Sequence, residues 1–357
     1  MAIPLLDQHG RPPGVLRLSL TARCNLACPY CCPDSHDPPD LLNQAERVAV
    51  VTAAASLGFG RLRLTGGEPL LHRGLEGLVE VLQPLRQARD RPAGGGLREI
   101  ALTTNGVLLD GQRARDLRAA GLDRITVSLD GTDGESVARM AGLPGGEAAG
   151  SAVLAKVLQA LENARAAGFD PARGALKLNA VIARGRNEEQ LLPLAELARR
   201  LGIELRLIEF MDVGNRNGWR PDLVLPAAEM VRRIGLHLPL EPLGRPAHGT
   251  ASRWRYRDGS GHLAVVASIS APFCGDCDRL RITADGVAYT CLFASSGMDL
   301  RPWLRPRPAP AAALREAMQG LWRQRRDRYS EERQDQAIDR AGALPPKNHA
   351  EMAYLGG

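Results

Sequence analysis

Short runs in which apolar residues alternate with polar ones recur along the chain, separated by longer stretches of helical periodicity. The runs are VLRLSLT (15 to 21), RLRLT (61 to 65), EIALTT (99 to 104), ITVSLD (125 to 130), LKLNAVI (176 to 182) and ELRLIEF (204 to 210). Between them, stretches such as AERVAVVTAAASLGF and AKVLQALENARAAGF repeat apolar residues three and four apart. Strands alternating with helices predict parallel β/α units with right-handed crossovers. The runs end in polar, glycine or cysteine residues: Thr21 to Cys24, Thr65 to Glu68, Thr103 to Gly106, Ser128 to Gly131, then Asn179 and Glu209. In β/α folds the carboxyl ends of the strands build the active site, so these residues are expected to converge. The spacing suits a barrel or partial barrel, although a doubly wound open sheet follows a similar rule.

After GNRNGWRPDLVLP the pattern changes. Two hairpin-like units follow, RWRYRDGSGHLAVVAS and RLRITADGVAYTC, whose Asp-Gly pairs suit tight reversals. A helix rich in arginine and glutamate is expected over about 310 to 335, and glycine-rich surface loops over 86 to 99 and 141 to 150. The expected division is a β/α barrel over residues 1–235 and a smaller α+β domain over 236–357.

Composition narrows the class. At 357 residues, 44% hydrophobic and 24% charged, the chain has the make-up of a globular protein rather than a disordered or rod-like one. No apolar window approaches a membrane span, and the opening MAIPLLDQHG has neither a basic n-region nor an apolar h-region, so a cytoplasmic protein without membrane contact is expected. Net charge is +6, and of 46 basic residues only Lys156, Lys177 and Lys347 are lysines. Arginine holds phosphate bidentately, which fits an anionic substrate. With no long basic run and 4% aromatics, nucleic-acid binding is not expected. Seven cysteines in a reducing compartment point to metal ligands or reactive thiols rather than disulfides.

Cys24, Cys28 and Cys31 form C-x3-C-x2-C directly after the first strand. Three thiolates on one short loop can hold three irons of a cubane cluster and leave the fourth open to a ligand. A structural zinc would need a fourth ligand, for which Cys32 or His36 stands nearby. A second set, Cys274, Cys277 and Cys291, has the spacing C-x2-C-x13-C and poses the same choice, with His262 or Asp276 able to complete a zinc site. Arg279 and Arg281 follow Cys277 at i, i+2 spacing, which puts both side chains on one face of a strand as a fork for a polyphosphate.

C-x3-C-x-Φ-C, with Tyr30 before the third cysteine, resembles the signature of radical S-adenosylmethionine (SAM) enzymes. That resemblance implies a Gly-Gly-Glu-Pro motif after the second strand, present as Gly66-Gly67-Glu68-Pro69. Such enzymes bind the methionine group of SAM at the open iron and cleave it reductively to a 5′-deoxyadenosyl radical. With both cysteine sets, the chain is similar to the GTP 3′,8-cyclase family, lyases that act early in molybdenum cofactor biosynthesis. The resemblance runs through LRLSLTARCNLACPYC, RLRLTGGEPLLHR, LTTNG, DRITVSLD, KLNAV, EFMDVGNRNGW, FCGDCDRLRITADG and the closing Gly356-Gly357.

The resemblance implies a partial (β/α)6 barrel closed by the C-terminal domain, and two [4Fe-4S] clusters, on Cys24, Cys28 and Cys31 and on Cys274, Cys277 and Cys291. It implies SAM contacts from Tyr30, Gly67, Ser128 and Met211, and GTP contacts from Arg17, Arg63, Thr103, Lys177, Arg279 and Arg281. The product would be (8S)-3′,8-cyclo-7,8-dihydroguanosine 5′-triphosphate. Further implied are a flavodoxin- or ferredoxin-type reductant, a cyclic pyranopterin monophosphate synthase downstream and a homodimer. A tail without side chains can thread a crowded chamber, which suggests that Gly356 and Gly357 complete the catalytic geometry, anchored by Met352, Tyr354 and Leu355.

Five positions depart from the family pattern: Cys32, His72, Thr126, Asp212 and Asp278. An inward Asp278 would repel a triphosphate. Two other readings compete. A peptide-modifying radical SAM maturase with an auxiliary cluster usually carries more C-terminal cysteines, and a two-cluster electron carrier would need neither Gly-Gly-Glu-Pro nor a large chamber.

Overall fold

The computed structural model describes residues 4–86, 95–306, 310–333 and 349–356. Six β/α units come first: β1 (Val15–Ser19), α1 (Gln44–Ser56), β2 (Arg61–Thr65), α2 (Leu75–Val81), β3 (Glu99–Thr104), α3 (Gly111–Ala119), β4 (Arg124–Ser128), α4 (Gly134–Ala141), α5 (Gly146–Ala166), β5 (Leu176–Ile182), α6 (Leu191–Arg200), β6 (Glu204–Glu209) and α7 (Ala227–Gly235). The remainder supplies β7 (Leu240–Gly244), β8 (Ser252–Tyr256), β9 (His262–Val266), β10 (Arg279–Ile282), β11 (Val287–Tyr289), β12 (Met298–Asp299) and α8 (Ala311–Arg323).

Strands β1 to β6 lie side by side in sequence order, all parallel. A doubly wound sheet would reverse that order at a switch point, so the winding is that of a barrel. The fold is a partial (β/α)6 barrel. Strand β9 adds parallel to β6, β10 adds parallel to β1, and each carries an antiparallel hairpin outward, giving one sheet of twelve strands. The boundary expected at 235/236 falls between α7 and β7, yet among the described residues the strands beyond it join the barrel sheet. They extend both of its edges, because β9 and β10 find unpaired parallel edges there.

Alternation along each strand sorts the side chains. Leu16, Leu18, Leu62, Leu64, Leu102, Leu178 and Leu207 are fully buried against the helices. Each contributes about 1.5–3 kcal/mol by leaving water. Their neighbours Arg17, Arg63, Thr103, Thr126, Lys177 and Asn179 take the opposite face by the two-residue period. A closed barrel fills that face with branched apolar residues; here it is polar and cationic, and it bounds a chamber rather than a core.

Both expected hairpins form: Gly259 (φ 76°) lies in the turn between β8 and β9, and Gly286 (φ 90°) in that between β10 and β11. The stretch 141 to 150 is mostly helical instead of a loop. Its glycine is used for contact: a Cβ on Gly150 of α5 would stand 1.8 Å from the Gly134 carbonyl oxygen of α4, so the close helix pair requires hydrogen there. The expected arginine-rich helix is α8, with a further helical turn over 329–333; the end of that expectation, and most of the loop expected over 86 to 99, lie outside the described residues. No helix among the described residues is long and apolar enough to cross a membrane.

Candidate functional site

The loop after β1 and the loop after β2 are built against each other. Gly67 donates its N–H to the Thr21 carbonyl and Glu68 to that of Arg23, each at 2.8 Å. A Cβ on Gly67 would lie 2.1 Å from the Arg23 oxygen, and Gly66 holds φ at 148°, so neither glycine admits a side chain. Glu68, fully buried, ties this pair to β3: it accepts from Thr104 Oγ1 at 2.7 Å and from the Asn105 N–H at 2.8 Å.

Cys24, Cys28, Cys31, Tyr30, Gly67, Ser128 and Met211 line one open cavity of about 960 Å3, together with Thr103, Asn105, Asp130 and Asn179. Tyr30 donates its hydroxyl to Asp130 at 2.6 Å, which fixes the ring beside the cysteine loop. Burial first, then the charge of Asp130 and those of Cys31 and Cys24, push the Cys28 thiol up; burial and Cys24 do the same for Cys31. Such thiols ionise only against a strong cation, as iron would supply. The cradle of side-chain-free backbone opposite them leaves room for a ligand at that centre, so the residues fit an open cluster.

Among the described residues, no three His, Cys, Asp or Glu side chains group as ligands of a single ion. Three of the four side chains weighed as fourth zinc ligands have other partners. His36 hydrogen-bonds Ser35, Asp276 pairs with Arg245 at 2.5 Å, and His262 sits on β9 opposite Arg255 of β8. Cys32 takes a left-handed conformation (φ 49°) with its sulfur on the Pro29 carbonyl.

A second cavity of about 530 Å3 is lined by Cys274, Cys277, Cys291, Arg279, Arg281 and Phe273, with Met211 common to both cavities. Burial raises the Cys277 thiol, but the guanidinium groups of Arg279 and Arg325 override it and hold it down to about 6; burial pushes Cys291 up to about 12. A thiolate beside cations is the donor form that a cluster takes. Cys31 and Cys291 both border an apolar cluster of Val213, Phe293 and Met352, which stands between the two loops.

Register aligns Arg281, Arg17 and Arg63 across three adjacent strands. Among the described residues, neither Arg63 nor Arg281 has a carboxylate within ion-pair distance, and Arg281 keeps a buried Nη1 without a partner. Burial, then repulsion by neighbouring arginines, pulls Arg17 well below the ordinary range, Arg63 to about 9 and Arg281 to about 10. Arginine keeps its proton under such conditions, so these remain buried cations that repel one another. Lys177 shares Glu204 (2.6 Å) with Arg206 and Arg253. One carboxylate among three cations is held down to about 2, while burial and Arg206 push Lys177 down to about 8.

Thr103, expected with the GTP set, lines the first cavity beside Tyr30 and Ser128. Gly356 lies at the cation row: Arg17 Nε donates to its carbonyl at 2.8 Å. Gly357 lies outside the described residues. Asn105 and Asp130 fall within the strand-end stretches expected to converge, Thr103 to Gly106 and Ser128 to Gly131, although the sequence assigns neither an individual role. Glu204 and Arg325 are not singled out and carry no local signal in the sequence.

Three departures have structural accounts. Asp278 takes Arg61 at 2.6 Å, which neutralises its charge, and Asp212 pairs with Arg333 and Tyr329. His72 meets Arg47 at 3.0 Å and is pushed down to about 4 by burial and that charge. Thr126 Oγ1 is buried without a partner, on the strand beside Lys177.

Residues 18–198 match the model of the Radical SAM superfamily, and residues 203–331 that of Molybdenum Cofactor Synthesis C. A GTP 3′,8-cyclase of Synechococcus sp. (strain CC9902) is 60% identical over 99% of this chain and 98% of its own length. One of Xanthomonas axonopodis pv. citri is 42% identical over the whole of both. Streptococcus suis SuiB bound to S-adenosylmethionine superposes with a TM-score of 0.56 at 15% identity, over 80% of this chain and 62% of that one, a likeness of fold. A barrel chamber with a cysteine loop at each cavity is thus joined to end-to-end sequence identity, and the chain belongs to the GTP 3′,8-cyclase family of radical SAM enzymes.

Proposed function

We propose that this radical SAM lyase binds GTP along the cation row, with the triphosphate on Arg17, Arg63, Lys177, Arg279 and Arg281 and the guanine toward Cys274, Cys277 and Cys291. The reaction is the family's 3′,8-cyclisation in molybdenum cofactor synthesis, giving (8S)-3′,8-cyclo-7,8-dihydroguanosine 5′-triphosphate. Cys24, Cys28 and Cys31 hold the [4Fe-4S] cluster on which SAM is cleaved to the radical that starts the reaction. Tyr30, Gly67, Ser128 and Met211 orient SAM beside it, and Cys274, Cys277 and Cys291 hold a second [4Fe-4S] cluster. Gly356 and Gly357 pack against the reacting ribose. A flavodoxin- or ferredoxin-type protein supplies the electron, cyclic pyranopterin monophosphate synthase takes the product, and the enzyme works as a cytoplasmic homodimer.

The observation that carries this reading is the buried arginine row in register across β10, β1 and β2, in which Arg281 lines the second cysteine cavity and Arg63 and Arg281 have no carboxylate within ion-pair distance among the described residues. A polyanion is what such a row binds, and a base at the second cavity leaves the sugar facing the first. Anaerobic incubation of the reconstituted protein with GTP, SAM and a reductant, followed by mass analysis, tests it. Cyclised nucleotide is expected; 5′-deoxyadenosine without a GTP-derived product would overturn the substrate assignment.

Replacing Arg279 or Arg281 by alanine is expected to weaken GTP binding by about 1.5–3 kcal/mol while iron content stays unchanged, since each charge-assisted contact to phosphate is of that order. Iron loss matching that of Cys277→Ala would make these arginines supports of the loop instead.

Lys177 gives a pH dependence of defined sign. Its pKa is about 8 in the free protein, and a polyphosphate raises it, so GTP binding takes up a proton above that pH. Affinity should be nearly flat below about pH 7, begin to fall as pH approaches 8, and fall by up to about fivefold between pH 8 and 9. Calorimetry in buffers of different ionisation enthalpy reads the proton uptake directly, and Lys177→Arg should abolish it.

A further inference from the structure

Three buried charges stand behind the second cysteine set, and one of them, Arg325, lines its cavity. Asp7, Arg11 and Arg325 have side chains 0%, 1% and 1% exposed. A buried ionic cluster is costly to desolvate and often no more stable than apolar residues of the same volume, so its presence calls for another use.

The hydrogen bonds show where the two arginines point. Arg11 Nε pairs with Asp7 at 2.5 Å, and its Nη1 donates to the Cys274 carbonyl at 2.8 Å. Arg325 Nη1 donates to the Cys277 carbonyl at 2.6 Å, and Nη2 donates to the Cys277 sulfur at 2.9 Å. The carboxylates of Asp7 and Asp327 stand back from Arg325 at 3.6 and 3.5 Å. That is near enough to balance its charge and too far to take its N–H groups. The guanidinium lies over the Trp322 ring at 4.7 Å, and Trp322 in turn donates to the Arg11 carbonyl. Every contact of Arg325 therefore holds it in place or aims it at one sulfur.

We propose that Arg325 is the positioning residue of the second cysteine set, donating an N–H to the Cys277 sulfur and raising the reduction potential of the cluster held there. The proposal rests on the reading that Cys274, Cys277 and Cys291 carry a cluster. Donation to a ligating sulfur, and a fixed positive charge beside it, stabilise the reduced and more negative state. Arg11 takes the nearer contact with Asp7, which leaves that carboxylate to balance the Arg325 charge from 3.6 Å without drawing its N–H groups off the sulfur.

The test is a redox titration of the reconstituted full-length protein without GTP, followed by electron paramagnetic resonance. The signal missing from Cys277→Ala is the one tracked. Arg325→Met is expected to retain second-cluster iron and shift that signal's midpoint to lower potential, with Arg325→Lys in between. An unchanged or raised midpoint in Arg325→Met overturns the assignment. Loss of second-cluster iron from both variants in a folded chain also overturns it, because Arg325 would then only prop the loop. If Cys277→Ala removes neither iron nor any signal, it is the second-cluster reading that fails, a result distinct from the other two.

Discussion

Alanine at Cys24, Cys28 or Cys31 is expected to abolish SAM cleavage and to remove about half of the bound iron, since each of two cubane clusters accounts for about four irons. Two thiolates cannot hold a cubane in the form that leaves one iron open. The effect should be all-or-none in 5′-deoxyadenosine formation, because no neighbouring group can substitute. Cys32, the nearest spare thiol, points its sulfur at the Pro29 carbonyl from a left-handed backbone position. His36 is held by Ser35. Cys32→Ser should accordingly keep iron and cleavage near the wild-type level. Iron loss in Cys32→Ser would show that the third ligand has been misassigned.

The parts of this molecule that repeat locally were readable from sequence. Apolar residues alternating with polar ones marked six strands, and the polar residues at their carboxyl ends marked where a site would be built. The cysteine loops and Gly-Gly-Glu-Pro were readable because each is a contiguous segment whose chemistry is local. What escaped depends on pairings between distant residues. Nothing in the sequence says that β9 and β10 would join opposite edges of the barrel sheet, since that is settled by which edges β6 and β1 leave open. Arg325 sits among many surface arginines in the sequence, and only packing against Trp322, Asp7 and Cys277 separates it from them. The stretch 141 to 150 misled for a related reason. Glycine disfavours helix by about 1 kcal/mol, but the α4–α5 contact at Gly134 and Gly150 outweighs it.

Removing Gly356 and Gly357, or replacing Gly356 by valine, is expected to leave folding, iron content and GTP affinity close to wild type while suppressing cyclised product by about a hundredfold. The described end of the chain runs into the chamber: Met352, Ala353 and Leu355 are buried, and the Tyr354 hydroxyl is held by Asp285 at 2.9 Å. Gly356 then adopts φ 66°, and a Cβ there would stand 2.1 Å from Thr65 Oγ1, so both conformation and space demand glycine. Its carbonyl is fixed by Arg17, within the cation row assigned to the triphosphate. An element set so close to the substrate, offering only backbone, constrains where the ribose can lie more than it adds to ground-state affinity. Loss of such a constraint lowers turnover at unchanged Kd. Weakened GTP binding in step with turnover would instead make the tail part of the nucleotide site, and full-rate cyclisation by the truncated protein would reduce it to packing.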